Sequence, residues 1–428
     1  MRTALFLAAV LALWPAAWRR HSRFFDHVSV AGVQALYRHG VPHTDRQGNL
    51  RTTYGPESFF PRCIYHAIAG SFKLIEAAGF NCVHTWEGDS IADVIGEVRS
   101  AGLQLIRHWP TDAVVKSLAA DPNVLGWYLN EEPTAQTYLD MQRTSDTTLM
   151  AARFRAFLSR KAAIKALDPR HPVFPLDAAW IPPGYETWWE RWNTAGDVSA
   201  QDNYPLRPGT TDFDAMARSI VRAVRLNGGR KPVWITLQAF GAAPGMRHPV
   251  RMPTPAELRG MAFTAIIHGA TGITLFAYDS HVTRAGSVIG IAPETAESDG
   301  LHPAVTADEA AASRTLWTGA AALNAELARL TPRLLSPTAR MRYAVYFSGA
   351  SRTPSPIRTM LKRTRGTYTL LVANIEDRPF GTRFEFPKRI GALERLHANG
   401  TRTPLKHDGR AFTDSLDAFG AAVYEIRF

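Results

Sequence analysis

The sequence predicts an α/β protein, a (β/α)₈ TIM barrel followed by a small antiparallel β-sandwich. From about Phe59 onward, short apolar runs rich in β-forming residues alternate with segments of helical periodicity. Eight such units fit into about 275 residues, which is the size of one barrel. After Leu335, helical spacing gives way to short alternating strands separated by Pro, Gly and Asn-Gly turns. With 46% hydrophobic and 20% charged residues, the composition favours a folded globular chain over a disordered one.

Each barrel strand is predicted from a short apolar run that ends at a polar junction. The predicted strands are Phe60–Tyr65, Asn81–Trp86, Leu103–Arg107, Val124–Leu129, Pro172–Leu176, Asp197–Asp202, Pro232–Gln238 and Gly272–Tyr278. Helical spacing between them is clearest over Leu149–Leu167 and Phe213–Leu226. Thr254, followed by Pro255, predicts a capped helix start. Four sandwich strands are predicted, over Arg342–Phe347, Tyr368–Asn374, Thr382–Phe386 and Ala421–Ile426.

The chain divides into four predicted parts: a signal peptide or signal anchor over 1–24, a β-rich segment over 25–57 that packs on the barrel, the barrel over 58–335 and the sandwich over 336–428. Arg2 precedes the apolar run Ala4–Ala17, and Arg19 and Arg20 follow it. This pattern is typical of an export signal, since a spanning helix needs about 20 apolar residues. We therefore expect an extracytoplasmic protein, periplasmic, secreted or tethered to a membrane by this segment.

Charge and cysteine content narrow the functional classes. The net charge is +11, but Lys and Arg are spread along the chain without a basic block, so nucleic acid is not an expected partner. Cys63 and Cys82 each fall inside a predicted strand, and we expect both to be buried thiols. Histidines show no metal-ligand spacing and no Gly-rich phosphate loop occurs, so neither a metal nor another cofactor is expected.

Candidate functional residues stand where the predicted strands end, because barrel enzymes build their active sites there. These positions hold Tyr65, His66, His84, Trp86, Arg107, His108, Glu131, Glu132, Asp177, Asp202, Tyr204, Gln238, Tyr278 and Asp279. Carboxylates and aromatic side chains without phosphate-binding motifs suit the cleavage of glycosidic bonds. That reaction needs a protonated acid for the leaving oxygen and a second carboxylate that acts as nucleophile or activates water.

The segment Gly126–Pro133 resembles the fourth-strand motif of glycoside hydrolase clan A, and it is similar to the Tyr-Leu-x-Asp-Glu-Pro variant of uncharacterised relatives. The later segments Asp197–Pro205, Pro232–Phe240 and Thr254–Tyr278 also resemble that barrel, and the C-terminal sandwich is similar to its accessory domain. The resemblance implies a carbohydrate substrate and makes Glu132 the general acid/base. From their positions at the strand ends, we expect substrate contacts from Glu131, His84, Trp86, Arg107, Tyr204, Gln238 and Tyr278.

The sequence departs from the clan pattern at strand seven, where Gln238 stands in place of the nucleophilic Glu. An amide cannot act as a carboxylate nucleophile, so another group is needed for catalysis. Asp202 and Asp279 are the candidates for the second carboxylate, either in retention or in inversion through water. Two further hypotheses stay open: a barrel that binds carbohydrate without cleaving it, and a cell-envelope scaffold whose barrel mouth contacts a protein.

Overall fold

The computed structural model describes residues 19–20, 42–51, 58–85, 91–242, 249–283, 286–292, 303–339, 341–353 and 356–428. Most of the predicted signal segment, Trp86 and residues 21–41 lie outside the described residues. Within the described ranges, no helix has both the length and the apolar character needed to cross a membrane.

Eight parallel strands close into a barrel, as the sequence predicts. They are β1 (Arg62–Ala67), β2 (Cys82–Thr85), β3 (Gln104–His108), β4 (Val124–Glu131), β5 (Val173–Ala178), β6 (Ser199–Asn203), β7 (Val233–Gln238) and β8 (Gly272–Phe276). Each strand pairs with the next one along the chain, and β8 pairs with β1 to complete the ring. All eight carboxyl ends therefore open onto one mouth.

Nine helices are present in the described residues. They are α1 (Phe72–Ala77), α2 (Ile91–Ala101), α3 (Asp112–Leu118), α4 (Pro133–Thr144), α5 (Leu149–Leu167), α6 (Glu186–Ala195), α7 (Phe213–Leu226), α8 (Pro255–Ile267) and α9 (Ala307–Leu334). Helix α8 begins with the expected capping box, in which Thr254 and Glu257 exchange side-chain and backbone hydrogen bonds. Helices α4 and α6 were not predicted, because their apolar spacing is interrupted by Thr, Gln, Asn and charged residues.

The alternation of side chains along the strands separates two cores. One face of the strands fills the barrel interior, in a cluster that includes Tyr128, Phe174 and Trp234. The other face packs against the helices in a larger cluster, where Leu237 and Trp189 are fully buried. A barrel filled in this way is a packed core rather than a pore, so the barrel interior has no room for a ligand.

The C-terminal region forms two packed antiparallel sheets, which confirms the predicted sandwich. Its strands are β9 (Ala344–Ser348), β10 (Ile357–Thr364), β11 (Thr367–Asn374), β12 (Phe380–Glu385), β13 (Ala392–Leu396), β14 (Arg402–Pro404), β15 (Ala411–Leu416) and β16 (Ala421–Arg427). One sheet has the order β9-β12-β15, with the short strand Arg19–Arg20 beside β9, and the other has the order β10-β11-β16-β13-β14. Phe384, Phe412 and Tyr424 lie in the core between them.

The sandwich is bound to the barrel by both apolar and charged contacts. Leu371 and Val423 of the sandwich belong to the same buried cluster as the barrel helices. Arg259 of α8 pairs with Glu326 of α9 at 2.7 Å and also donates a hydrogen bond to the carbonyl oxygen of Ala421 at 2.7 Å. The two regions therefore share one core, and the sandwich buries the outer face of α8.

A small three-stranded sheet lies at the bottom of the barrel, formed by His43–Asp45, Leu50–Arg51 and Ser58–Phe59. Gly48, at the tip of its hairpin, has a φ of +76° and packs so closely on His171 that a Cβ would lie 2.4 Å from the imidazole ring. His171 precedes β5, which locates this hairpin at the amino ends of the strands, on the opposite side from the mouth.

The two cysteines form a disulfide, so the expectation of two buried thiols is wrong. Cys63 on β1 and Cys82 on β2 are register partners in the β1–β2 ladder, and their Cα atoms are 4.4 Å apart. This separation lies within the range that a disulfide spans. The pairing depends on the register between two strands, which the positions of the cysteines in the sequence do not specify.

Breaking the disulfide should destabilise the barrel. It closes a loop with a sequence separation of 19 residues, and a crosslink of that size stabilises a fold by about 3 kcal/mol. We expect reduction to lower the urea midpoint of unfolding. A Cys63→Ala/Cys82→Ala variant serves as the control, because reductant should not change its midpoint. Detection of two free thiols in the unreduced, denatured native protein would contradict the disulfide.

Candidate active site

Glu132 lies at the barrel mouth, one residue beyond the end of β4. Its backbone N–H donates to the carbonyl oxygen of Leu176 on β5 at 2.7 Å, and helix α4 begins at the next residue, Pro133. The backbone is left-handed, with φ 40° and ψ 48°. A non-glycine residue in this conformation is strained by about 1–3 kcal/mol, and strain of this kind concentrates at functional sites.

The carboxyl group of Glu132 is not used to cap helix α4, although Glu132 occupies the N-cap position. Asp177 from β5 takes that role: it accepts hydrogen bonds from the backbone N–H of Thr134 at 3.1 Å and from the Thr134 hydroxyl at 2.5 Å. Gln136, one turn into the helix, donates to Glu132 at 2.9 Å. Because a neighbouring strand supplies the cap, the Glu132 carboxyl stays available at the mouth.

Asp202, near the end of β6, is a buried carboxyl group on which the charge of Glu132 acts. It is only 4% exposed. Burial raises the pKa of Asp202 well above its usual range, and the negative charge of Glu132 raises it further, while Tyr204 acts in the opposite direction. Asp202 is therefore harder to ionise while Glu132 carries its charge, because like charges repel.

Glu131, the last residue of β4, is a third carboxyl group at this site. It accepts a 2.8 Å hydrogen bond from the hydroxyl of Tyr65 on β1. Burial raises its pKa to about 7, and the charge of Glu132 acts in the same direction. Glu131 therefore changes its charge close to neutral pH, within the same cluster as Glu132 and Asp202.

Aromatic and imidazole rings form the wall beside these carboxyl groups. His84 stacks on Tyr65 with 3.9 Å between ring centroids and meets Tyr128 edge-on at 4.5 Å. Burial lowers the pKa of His84 well below its usual range, and it lowers the pKa of His108 to about 3. Both imidazoles are therefore neutral at physiological pH, and neutral imidazoles can donate or accept hydrogen bonds without adding charge.

Arg107, on β3, is buried and donates to the hydroxyl of Thr85 at 3.3 Å. Its positive charge lies close enough to lower the pKa values of His84 and His108. Arg107 is thus a buried positive charge beside the two neutral imidazoles.

Asp279 lies on the opposite side of the mouth, beyond the end of β8. It is 6% exposed, and its carboxyl oxygen lies 3.9 Å from Nδ1 of His66, whose ring stacks on that of His281 at 3.9 Å. The structure therefore brings Glu131, Glu132 and Asp202 together and leaves Asp279 in a separate group with histidines. Of the two candidates for the second carboxylate, Asp202 is the one whose pKa the charge of Glu132 is shown to raise.

Gln238 is fully buried, and its amide is occupied by the backbone of neighbouring loops. Its Oε1 accepts from the N–H of Leu206 at 2.9 Å, while Nε2 donates to the carbonyl oxygens of Leu206 at 3.0 Å and Arg251 at 2.7 Å. The side chain thus joins the loop after β6 to the loop before α8. A contact of Gln238 with substrate, as expected from its position at a strand end, remains a prediction.

Tyr278 does not line the mouth, contrary to expectation. It is 2% exposed and packs edge-on against Trp317 of α9, in the core between barrel and helices. Strand β8 ends at Phe276, so the alternation that would point residue 278 into the mouth no longer applies there. Phe276 occupies the position instead, against Tyr65 at 5.2 Å and Tyr204 at 5.9 Å. Phe276 is not among the site residues that the sequence predicts, because an apolar residue inside a strand is indistinguishable in sequence from a core residue.

Fold and site together define a class, the (β/α)₈-barrel proteins with paired carboxyl groups at the mouth. No protein-family model and no curated protein matches the sequence. A solved structure described as a glycoside hydrolase is similar over 91% of this chain and 97% of its own, with a TM-score of 0.57 and 12% identity. The β-galactosidase from Bacillus circulans sp. alkalophilus is similar over 86% of this chain and 98% of its own, with a TM-score of 0.55 and 10% identity. The TM-scores establish a shared fold, and at sequence identities this low they establish the fold alone.

Replacing Glu131 with Gln should stabilise the protein at alkaline pH. The folded-state pKa of about 7 lies above the usual 4.5, so the folded protein holds a proton that the unfolded chain has lost between these values. The contribution of Glu131 to stability therefore falls as the pH rises through this range. We expect Glu131→Gln to raise the free energy of unfolding at pH 8 by on the order of 1–3 kcal/mol, and far less at pH 4.

The matched control is Glu385→Gln, a change at an exposed glutamate on β12. Denaturant unfolding at both pH values measures the effect, and the control should show none of this pH dependence. An equal gain for Glu131→Gln at pH 4 and pH 8 would mean that its charge is not the source of the destabilisation.

Proposed function

We propose that this protein is a glycoside hydrolase that cleaves O-glycosidic bonds of an extracytoplasmic oligo- or polysaccharide, with Glu132 as general acid/base and Asp202 as the second carboxylate. The observation that carries the proposal is the convergence of these two carboxyl groups at the mouth of the barrel, where the backbones of Glu132 and Asp202 are both hydrogen-bonded to the strand-five segment and the charge of Glu132 raises the pKa of Asp202. The Asp177 cap, which leaves the Glu132 carboxyl available, and the strained backbone of Glu132 support it.

We propose a retaining mechanism. An inverting enzyme keeps its carboxyl groups about 6.5–9.5 Å apart to fit a water molecule between them and the sugar, whereas a retaining pair lies about 5–5.5 Å apart. The charge of Glu132 raises the pKa of Asp202, an effect that weakens with distance and so favours the closer arrangement. Asp202 is therefore the nucleophile in this proposal, taking the part that Gln238 cannot.

In this proposal the sugar binds with Asp202 ionised and Glu132 protonated. The Asp202 oxygen attacks the anomeric carbon while the bond to the leaving oxygen breaks and that oxygen takes the proton from Glu132. In the second step Glu132 removes a proton from water, which attacks the anomeric carbon and releases Asp202. Tyr204 favours the carboxylate form of Asp202, since it lowers the pKa of that group against the effect of burial.

Other polar groups at the mouth are placed to bind sugar hydroxyls. Glu131 with Tyr65, and the neutral imidazole of His84, face the carboxyl pair and offer both donors and acceptors. Arg107 adds the one buried positive charge described beside them. The contact proposed for Trp86 rests on its place at the end of the second predicted strand, because it lies outside the described residues.

An extracytoplasmic location is part of the proposal. The apolar run Ala4–Ala17 between basic residues supports export. The disulfide between Cys63 and Cys82 supports it independently, because such bonds persist in oxidising compartments and are rare in the cytosol. Cell fractionation of the full-length chain would test this: recovery of the protein in the cytosol with both thiols reduced would contradict export.

Glu132→Gln and Asp202→Asn should each lower the rate of hydrolysis by at least about 10³-fold, since each removes a group that takes part in bond breaking. Asp279→Asn is the matched control: it removes the other candidate carboxyl group and should retain most of the activity. The measurement is release of sugars from a panel of polysaccharides and of nitrophenol from aryl glycosides.

Azide rescue assigns the two roles. Azide should restore activity of Glu132→Ala on an aryl glycoside and give a glycosyl azide with the anomeric configuration of the substrate. With Asp202→Ala, azide replaces the nucleophile and should give the opposite configuration. Reversed products would exchange the roles of the two residues. Glycan binding without any cleavage would identify a carbohydrate-binding barrel instead.

The pH dependence of kcat/KM should be bell-shaped, because the carboxyl pair works only while it holds one proton. Activity should fall at low pH as the second carboxyl group is protonated, and at high pH as that one proton is lost. With an aryl glycoside whose leaving group needs no protonation, Glu132→Gln should lose the alkaline limb. If the alkaline limb persists unchanged in Glu132→Gln, the group that titrates there is a residue other than Glu132.

A further inference from the structure

Exposed apolar side chains are concentrated on one face of the molecule. In the described parts of the chain, the large hydrophobic residues that are exposed are Leu50, Ile68, Trp109, Leu158, Trp180 and Val282. Four of these six, Ile68, Trp109, Trp180 and Val282, follow the carboxyl ends of barrel strands and so stand on the rim of the mouth. Exposure of apolar surface beside a polar site is typical of ligand-binding surfaces.

Trp109 follows β3 and is 54% exposed. Its backbone N–H donates to the carbonyl oxygen of Tyr128 on β4 at 2.9 Å, and its ring meets that of His108 edge-on at 5.9 Å. Its φ of 43° is left-handed, as for Glu132. The backbone conformation thus holds this indole at the rim beside β4. A bulky non-glycine residue adopts a positive φ only at a cost in conformational energy.

Trp180 follows β5 and is 52% exposed. The residue before it, Ala179, donates its N–H to the carbonyl oxygen of Asp202 at 3.0 Å, which ties this loop to β6. Its ring meets Tyr138 edge-on at 6.3 Å, and Tyr138 in turn packs against Tyr185 at 5.2 Å. Trp180 is therefore supported from one side while the other side faces solvent.

The two tryptophans lie on either side of Glu132, because Trp109 follows β3 and Trp180 follows β5, the two neighbours of β4. Trp109 is anchored to the strand that carries Glu132, and the neighbour of Trp180 is anchored to Asp202 itself. Every other described tryptophan is buried or partly buried, so exposed indoles occur on this rim and nowhere else in the described chain. Indole faces bind the C–H faces of pyranose rings, which are apolar on both sides when most hydroxyl groups are equatorial.

We propose that Trp109 and Trp180 are two sugar-binding platforms on either side of Glu132, and that the protein acts on a glycan chain of at least three pyranose units. One unit lies at the carboxyl pair and one on each tryptophan, so a terminal monosaccharide would use only part of the site. This inference rests on the proposed glycosidase function and specifies its substrate class as a chain of sugars with mostly equatorial hydroxyl groups.

The test uses the full chain and its Trp109→Ala, Trp180→Ala and double variants. The probes are cello-, xylo- and manno-oligosaccharides of two to six units, together with the corresponding nitrophenyl monoglycosides. Each single variant should raise KM for oligosaccharides of three or more units by about 3–10-fold and leave kcat and monoglycoside hydrolysis unchanged. Trp→Phe variants should recover most of the loss, and Leu158→Ala, an exposed apolar change on α5, is the matched control.

Binding separates this inference from the proposed activity. Quenching of tryptophan fluorescence by the same oligosaccharides is titrated in Asp202→Asn, with and without the Trp changes. If nothing is hydrolysed but binding weakens in the Trp→Ala variants, the platforms stand and the glycosidase proposal fails. If hydrolysis occurs but depends neither on chain length nor on either tryptophan, the platforms are overturned and the activity stands. Failure of the unsubstituted protein to bind or cleave any of these chains also overturns the platforms.

Discussion

The hydrogen-bonded ladder between β8 and β1 closes the barrel, and the location of every functional group follows from this closure. Ile273, Thr274 and Leu275 pair with Arg62, Cys63 and Ile64, so the first and last strands become neighbours. Without it, the sheet would have two open edges, and Tyr65 on β1 would not face Glu131 on β4. Since all the strands are parallel, closure brings side chains from across the sequence to one mouth.

The mouth concentrates carboxyl groups at a cost in stability. Burial raises the pKa values of Glu131, Asp177 and Asp202, which shows that the folded protein disfavours their charged forms. Hydrogen bonds from Tyr65, Thr134 and Tyr204 offset part of this cost. The shared core of barrel and sandwich and the β1–β2 disulfide stabilise the scaffold elsewhere. Enzymes commonly combine a strained active site with a scaffold that is stabilised elsewhere.

Much of the fold could be predicted from the sequence because the periodicity of apolar residues is a local property. The eight barrel strands, helix α5 and the capped start of α8 follow directly from that pattern. Helices α4 and α6 were missed because their burial comes from a few contacts rather than from a regular apolar stripe. Strand β10 was missed for a related reason: its Arg and Lys side chains resemble a basic loop, although Arg358 and Lys362 are buried.

The sequence by itself determined which chemical groups stand at the strand ends and therefore face the mouth: Glu131, Glu132 and Asp202. Only the tertiary structure decided which of them meet. It brought Asp202 within the influence of the Glu132 charge, left Asp279 with the histidines and turned Tyr278 into the core. The physical reason is that contacts across the mouth depend on strand register, on where each strand ends and on which neighbouring strand supplies a helix cap. These are properties of paired strands, and no single segment encodes them.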